Sequence, residues 1–509
     1  MPDKKFNKKV VLVVMDGWGL AKPDKFNAID NAKTPNFDSL VKQYPNTRLK
    51  SDGLSVGLPE GQFGTSEVNH MTIGAGRVIF QDLPKINKAI ETGEFFTNSS
   101  LQKSIDHANQ NKSNIHLIGI LSDGGIHSTT EHVFSLLEML SKQEFKQKVF
   151  IHAFTDGRDT PPKSAERYFQ KLDKAIEKYS NVDIKVATVQ GRFYLDRDRD
   201  WAKTEKAFEL IAKGKGQKYK SWETVLNWEY NKNVTDEFVD NYVIEEGATI
   251  KQDDSVIFFH YRTDRLYQIV KRLVQEEIPN LNITTFISVS EEFDTINLAF
   301  PRDKITDTLA EVISNAGLGQ FHVTETEKYP HLTFFLNGEK EKELPHEDWK
   351  MIQSNRYVKP YYNFEPSMRN YDITQDIVDA IKSDKYGFII ANLSSPDMVG
   401  HTGNYEAAII SAESIDYCLG KIHETIKENP DYVLMVTADH GNSDMMWDYE
   451  NNQPHTQHTT SPVPFILVSD IKCKLDKRES LEDIAPTILD LMGLEKPGVM
   501  TGTSLVIPE

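Results

Sequence analysis

Val10-Val-Leu-Val-Val-Met15, followed at once by Asp16-Gly-Trp-Gly19, sets the pattern from which the fold is read. Six apolar residues in a row are too few for a membrane span or a secretory core, and they suit a strand buried on both faces. The run stops on a carboxylate. The same grammar, an apolar run ending in polar and reactive residues, recurs at Ile115–Ile120, Val149–Phe154, Ile184–Val189, Val256–Phe259, Thr285–Val289, Phe388–Leu393, Val433–Thr437 and Phe465–Val468. Between the later runs Ile415, Leu419, Ile422 and Ile426 fall on one face of a helix that Asn429-Pro430 ends. Strands alternating with helices predict an α/β protein with mostly parallel sheets.

In such sheets ligands gather beyond the carboxyl ends of the strands. Asp16, Asp397, Asp439 and His440 follow one group of runs; Asp123, His127, Asp156, Arg158 and Asp159 follow another. Two catalytic surfaces are therefore expected. Length agrees, since 509 residues make two to four domains at about 100–200 residues each.

Composition narrows the partners. The net charge of −18 repels nucleic acid and anionic membrane, so neither is expected as a partner. An anionic substrate then needs a local basic pocket. The two cysteines, Cys418 and Cys473, form no CxxC pair and fit a reducing compartment, which predicts a cytoplasmic protein. No 18-residue apolar run occurs.

Asp397-Met-Val-Gly-His401 places a carboxylate and an imidazole on one face of a helical turn. Thr437-Ala-Asp439-His440 puts both types at a strand end, and His455-Thr-Gln-His458 adds two imidazoles. Each alone reads as a surface or capping arrangement. Together, mixed oxygen and nitrogen donors at strand ends fit a two-metal site for phosphoryl chemistry, with Mn²⁺ or Zn²⁺ better suited than Mg²⁺. Gly64-Thr-Ser66-Glu-Val-Asn-His70 supplies a serine that metal coordination would activate without a general-base triad. Taken alone, that heptad reads as a helix N-cap.

These residues together, in this order, resemble the cofactor-independent phosphoglycerate mutases of the alkaline phosphatase superfamily. The likeness runs from Met15-Asp16-Gly-Trp-Gly to Asp483-Ile-Ala-Pro-Thr-Ile-Leu and Met500-Thr-Gly-Thr-Ser-Leu. The resemblance implies an alkaline-phosphatase-like α/β domain, 1–80 plus 306–509, interrupted by an inserted α/β domain, 81–305, that holds substrate. It implies a phosphoserine on Ser66, one metal held by Asp397, His401 and His458, and another by Asp16, Ser66, Asp439 and His440. The metal is expected to be manganese, with no 2,3-bisphosphoglycerate required. Ser122-Asp-Gly-Gly-Ile-His127-Ser and Asp156-Gly-Arg158-Asp159-Thr-Pro-Pro match segments that touch glycerate. Arg192, Arg197, Arg262 and Arg265 match further arginine sites, and Lys328 in Glu327-Lys328-Tyr329 matches a lysine near the metals. The chain departs from the family pattern at Thr65, Asn69, Thr129, His260-Tyr261, Thr263 and Ser394-Ser395, and is one residue short between Arg192 and Arg197. No implied ligand is lost.

Chemically, the guanidinium fork suits phosphate and carboxylate, so five arginines in the insert answer the need for a basic pocket. The expected reaction interconverts 3- and 2-phosphoglycerate in a monomer: Ser66 takes the phosphate, Lys328 balances charge, the arginines keep glycerate, and Asp159 or His127 shuttles the hydroxyl proton. A phosphatase or phosphopentomutase of the same superfamily would keep the metal ligands and change the insert. A metal-stabilised binding protein would have no use for the nucleophile.

Overall fold

The computed structural model describes residues 6–508; residues 1–5 and 509, the outermost positions of the expected discontinuous domain, lie outside them. The chain divides into two compact units, Met1–Gln81 with Lys304–Glu509, and Asp82–Asp303.

The first unit is built on a seven-stranded sheet. Its strands run, across the sheet, Glu347–Ile352, Gln320–Glu325, Phe388–Leu393, Lys9–Met15, Tyr432–Thr437, Val463–Val468 and Asn46–Leu49. The first five are mutually parallel; Val463–Val468 lies antiparallel to both of its neighbours. The central strands are apolar but for Lys9, Asn392 and Thr437, as suits strands covered on both faces. Val10 to Met15, Phe388 to Leu393 and Tyr432 to Thr437 are all buried. The helix Tyr405–Glu428 lays Ile415, Leu419, Ile422 and Ile426 onto this core. It ends at Asn429, ahead of the proline.

The second unit has an eight-stranded sheet in the order Asn297–Leu298, Asn282–Thr285, Ser255–Phe258, Ile115–Ile120, Lys148–Thr155, Asp183–Gly191, Tyr242–Val243 and Gln217–Lys218. All of its strand pairs are parallel except Asp183–Gly191 with Tyr242–Val243. It encloses its own apolar cores.

The run Thr285–Val289 is not the strand expected there. The strand is Asn282–Thr285, paired in register with Ser255–Phe258. The chain leaves the sheet as the apolar residues begin, and Phe286 and Ile287 are buried from a loop.

Candidate metal and anion sites

In the first unit four neighbouring parallel strands deliver reactive groups from their carboxyl ends. Gln320–Glu325 leads to Lys328, Phe388–Leu393 to Asp397, Lys9–Met15 to Asp16, and Tyr432–Thr437 to Asp439 and His440. Gly17 lets the first turn close tightly. Its φ is +80°, and a Cβ there would lie 2.6 Å from the Asp397 backbone nitrogen. Asp397 stands in the first turn of the short helix Ser395–Gly400, and His401 caps its end. Ser66 is the first residue of the helix Ser66–Ala75; the N-cap is Thr65, whose hydroxyl accepts from the Val68 N–H. Capping thus falls to the threonine and leaves the serine side chain free for another task.

The Ser66 hydroxyl sits 2.6 Å from Lys328 Nζ and 2.9 Å from His440 Nε2. Lys328 also donates to Asp16 Oδ1 at 2.8 Å and to Asp397 Oδ2 at 2.7 Å. Asp397 Oδ1, His401 Nε2 and His458 Nε2 form a triangle with all three sides 3.2 Å. On the other side His440 Nε2 lies 3.2 Å from Asp439 Oδ2 and 3.7 Å from Asp16 Oδ1. The facing nitrogens of both outer histidines are set by their other ring atoms: His401 Nδ1 meets the Thr456 carbonyl at 2.7 Å and His458 Nδ1 the Gly64 carbonyl at 2.8 Å.

Charge shows what this cluster lacks. Three buried carboxylates, Asp16, Asp397 and Asp439, share one ammonium. Burial, and then the neighbouring Asp439, push the Asp16 carboxyl up against its attraction to Lys328. Burial opposes ionisation of Asp397 too, but Lys328, His401 and His458 outweigh it and hold this carboxyl well below its usual range. Lys328 is held protonated by the same carboxylates despite its burial. Burial, reinforced by His458, drops the His440 imidazole to about 3, so it presents a neutral nitrogen. Asp439 Oδ2 is buried without a donor in hydrogen-bonding geometry. Carboxylate oxygens and imidazole nitrogens lie within 4.8 Å of one another in two overlapping groups, Asp397–His440–His458 and Asp16–Asp439–His440. Such a donor set fits divalent cations with mixed nitrogen and oxygen ligation.

The second unit repeats the strand-end device with the opposite sign. Ser255–Phe258 leads to Arg262, Asp264 and Arg265, Ile115–Ile120 to Ser122 and His127, Lys148–Thr155 to Asp156, Arg158 and Asp159, and Asp183–Gly191 to Arg192. Arg192 is buried, and one of its nitrogens bonds Asp156 at 2.6 Å and Asp159 at 2.5 Å. Asp264 Oδ2 receives Arg197 and Arg262, each at 3.3 Å, while its Oδ1 lies 3.3 Å from His127 Nδ1. His127 Nε2 is 3.8 Å from Asp159. Arg265 donates to the carbonyls of Arg192 and Leu195. Arg158 stands apart in its partner; it pairs with Glu237 at 3.1 Å. Burial, followed by Arg192 and Arg197, lowers the Arg265 guanidinium to about 10. Burial also lowers the His127 imidazole, against the pull of Asp264.

Several members of these clusters were not assigned a place from the sequence. Asn392 donates to Asp16 at 2.7 Å and Asn442 to Asp397 at 2.9 Å. His70 holds the Ser66 carbonyl at 2.8 Å. Asn69 ties the Ser66–Ala75 helix to the Ser51 and Asp439 carbonyls. The signal for Asn392 was a lone amide inside an otherwise apolar strand. Asp156 and Asp264 carried the same strand-end signal as their neighbours.

A model of the metalloenzyme superfamily matches residues 8–496. The 2,3-bisphosphoglycerate-independent phosphoglycerate mutase of Clostridium acetobutylicum is 44% identical over 513 aligned residues, covering 98% of this chain and 99% of that protein. Its counterpart from Clostridium perfringens strain 13 is 42% identical with the same coverage. Among solved structures, the phosphoglycerate mutase of Leishmania mexicana, crystallised at low cobalt concentration, aligns with a TM-score of 0.56 and 30% identity over 100% of this chain and 99% of that one.

Proposed function

The chain belongs to the family of 2,3-bisphosphoglycerate-independent phosphoglycerate mutases, and from that premise we propose which of its own residues carry each part of the reaction. It is a metalloenzyme and an isomerase of glycolysis, moving a phosphoryl group between the 3- and 2-hydroxyls of glycerate through a phosphoserine. Ser66 is the residue that takes the phosphoryl group. The observation that carries this reading is the placement of its hydroxyl, 2.6 Å from Lys328 and 2.9 Å from His440, amid three buried carboxylates.

Two divalent ions, manganese by preference, would be held by Asp397, His401 and His458 and by Asp16, Ser66, Asp439 and His440; bound there they would lower the pKa of the Ser66 hydroxyl, so that its proton is already lost when the cycle begins, and would shield charge on the transferring group. The protein's own groups do the rest. In the first transfer the Ser66 oxygen bonds to phosphorus as the bond from phosphorus to glycerate O3 breaks, and O3 leaves with a proton. In the second, O2 attacks the phosphorus of phospho-Ser66, gives up its proton, and Ser66 is released. The proton taken by O3 is balanced by the one lost from O2, and the adjacent pair His127 and Asp159 handles both. His127 suits this role because burial favours its neutral form. Lys328 and the amino-terminal end of the Ser66–Ala75 helix stabilise the phosphoserine. Arg192, Arg197, Arg262 and Arg265, with Arg158, hold the anionic glycerate.

One chain supplies every group named, so a monomer suffices. Its net charge of −18 disfavours nucleic acid and anionic membrane as partners, and among the described residues no helix is long and apolar enough to cross a membrane. The two cysteines, Cys418 and Cys473, with no CxxC spacing, suit the cytoplasm. A coupled assay on 3-phosphoglycerate tests the reading. Activity is expected with Mn²⁺ and without 2,3-bisphosphoglycerate; dependence on that primer would refute it.

A further inference from the structure

The arginine cluster of the second unit is tied together by a carboxylate to which the reaction above gives no part. Asp156 is buried at the end of the strand Lys148–Thr155. Its Oδ1 accepts three bonds, from the backbone N–H of Arg158 at 3.2 Å, that of Asp159 at 3.0 Å, and the Arg192 guanidinium at 2.6 Å. Its Oδ2 accepts the Ser122 hydroxyl at 2.6 Å. These partners come from three different strand ends. Ser122 opens the loop that carries His127, Arg158 and Asp159 form the turn after Asp156 itself, and Arg192 follows the strand Asp183–Gly191. Both carboxylate oxygens are occupied within the protein, and the side chain is almost wholly enclosed.

We propose that Asp156 is the positioning residue of the glycerate cage, setting the Arg192 guanidinium, the Arg158–Asp159 turn and the Ser122–His127 loop against one another without touching substrate itself. The proposal rests on the reading of this cluster as the substrate holder. A buried arginine with no carboxylate partner is held poorly in one geometry and pays a desolvation cost. Asp159, its other partner, is also asked to face substrate and exchange a proton. Asp156 supplies a fixed negative charge that leaves Asp159 available. Bidentate recognition depends on such orientation, because a misdirected guanidinium loses most of its advantage.

A double-mutant cycle between Asp156→Asn and Arg192→Ala, in the Mn²⁺-loaded full-length enzyme, tests this. Asparagine keeps the shape and most of the hydrogen bonds but removes the charge. We expect Asp156→Asn to raise KM for 3-phosphoglycerate about tenfold, the worth of one charge-assisted hydrogen bond, with bound metal unchanged. In an Arg192→Ala background the same change should raise KM no more than about twofold, because coupled residues are not additive. Full additivity, or an unchanged KM in Asp156→Asn, would overturn the positioning role. If Arg192→Ala itself leaves KM unchanged, the substrate-holding reading fails and this inference falls with it. Should Asp156→Asn not fold, as judged by thermal melting, Ser122→Ala carries the test. It frees the His127 loop from Asp156 and should lower kcat/KM with metal content intact; wild-type kinetics there would refute the proposal.

Discussion

The two units solve the same architectural problem and arrive at opposite charges. Each places its reactive groups at the carboxyl ends of four adjacent parallel strands. In the first unit three buried carboxylates gather around a single lysine. In the second, five arginines are set among Asp156, Asp159, Asp264 and Glu237. The first cluster is short of positive charge and the second of negative charge. The backbone fixes where a ligand can gather, and the residues that follow each strand fix its sign. A cation site and an anion site then arise from one topology, which is what phosphoryl transfer from a charged substrate requires.

The largest expected effect removes the hydroxyl at the centre of the first cluster. Ser66→Ala is expected to lower kcat by at least about 10⁴-fold, because Lys328 and His440 then surround no oxygen that can accept phosphorus. Labelling with ³²P-phosphoglycerate should give a phosphoprotein in the parent enzyme and none in the variant. Appreciable turnover by the variant would end the covalent assignment.

Acid is expected to act next, and unequally on the two halves of the metal cluster. Burial lowers the imidazole pKa of His401 and of His458, but the contact with Asp397 more than offsets it and leaves both raised. A raised pKa means the proton competes for the ligating nitrogen at higher pH than usual. His440, lowered to about 3 by burial and then by His458, stays neutral far into the acid range. As pH falls, the cation at Asp397, His401 and His458 should therefore leave first, taking activity with it. Elemental analysis across a pH series reads this directly. Simultaneous loss of all metal would contradict the asymmetry.

How much of this was legible in the sequence differs between the strands. Lys9–Met15, Phe388–Leu393 and Tyr432–Thr437 stood out because both faces are apolar, and the acids after them followed by position. Gln320–Glu325 did not stand out, although it delivers Lys328. Its alternate residues are Gln320, His322 and Thr324, and polar groups argue against a central strand. The structure satisfies each internally. Gln320 donates to the Ala310 carbonyl at 2.9 Å, His322 meets the Leu332 carbonyl at 2.9 Å, and Thr324 donates to that of Asn392 at 3.0 Å. Buried polar residues with partners are invisible to a reading of hydropathy. The strand Asn282–Thr285 was displaced for a related reason, since its edge residues are polar and the apolar residues that follow fill a loop. Site residues were legible where strand-end position and residue type agreed. The amides Asn392 and Asn442, which orient carboxylates, and Asn69, which holds two backbone carbonyls, left a weaker trace.

The comparison also predicts that damage stays within its own cluster. Arg262→Ala should lower kcat/KM by about ten- to a hundredfold, the cost of losing a charged hydrogen bond or two to an anion, and leave bound metal unchanged. Arg158→Ala should cost less, because that side chain pairs with Glu237, whereas Arg262 pairs with Asp264, the carboxylate that faces His127. His458→Ala should instead strip metal. If Arg262→Ala lost metal as readily as His458→Ala, the division into a cation cluster and an anion cluster would be wrong.

The smallest effect is one expected to be nil, and it bears on whether the second cluster holds glycerate throughout. In the proposed reaction the phosphoryl group on Ser66 is separated from its glycerate for part of each cycle. If the arginines and Asp159 keep that glycerate, it must receive its own phosphoryl group back. A mixture of ¹⁸O-phosphate-labelled 3-phosphoglycerate and unlabelled, ¹³C-marked 3-phosphoglycerate distinguishes the cases. Mass spectrometry of the 2-phosphoglycerate should find heavy phosphate on unmarked carbon and light phosphate on marked carbon, with no crossed species. Weakening the cage should then break this fidelity before it stops turnover. Arg262→Ala leaves Ser66, Lys328 and the metal ligands untouched, so phosphoserine still forms while glycerate departs more easily. Crossed product should appear in that variant alone. Crossed product in the parent enzyme would show that glycerate leaves on every cycle, and the arginines would then serve capture and not retention.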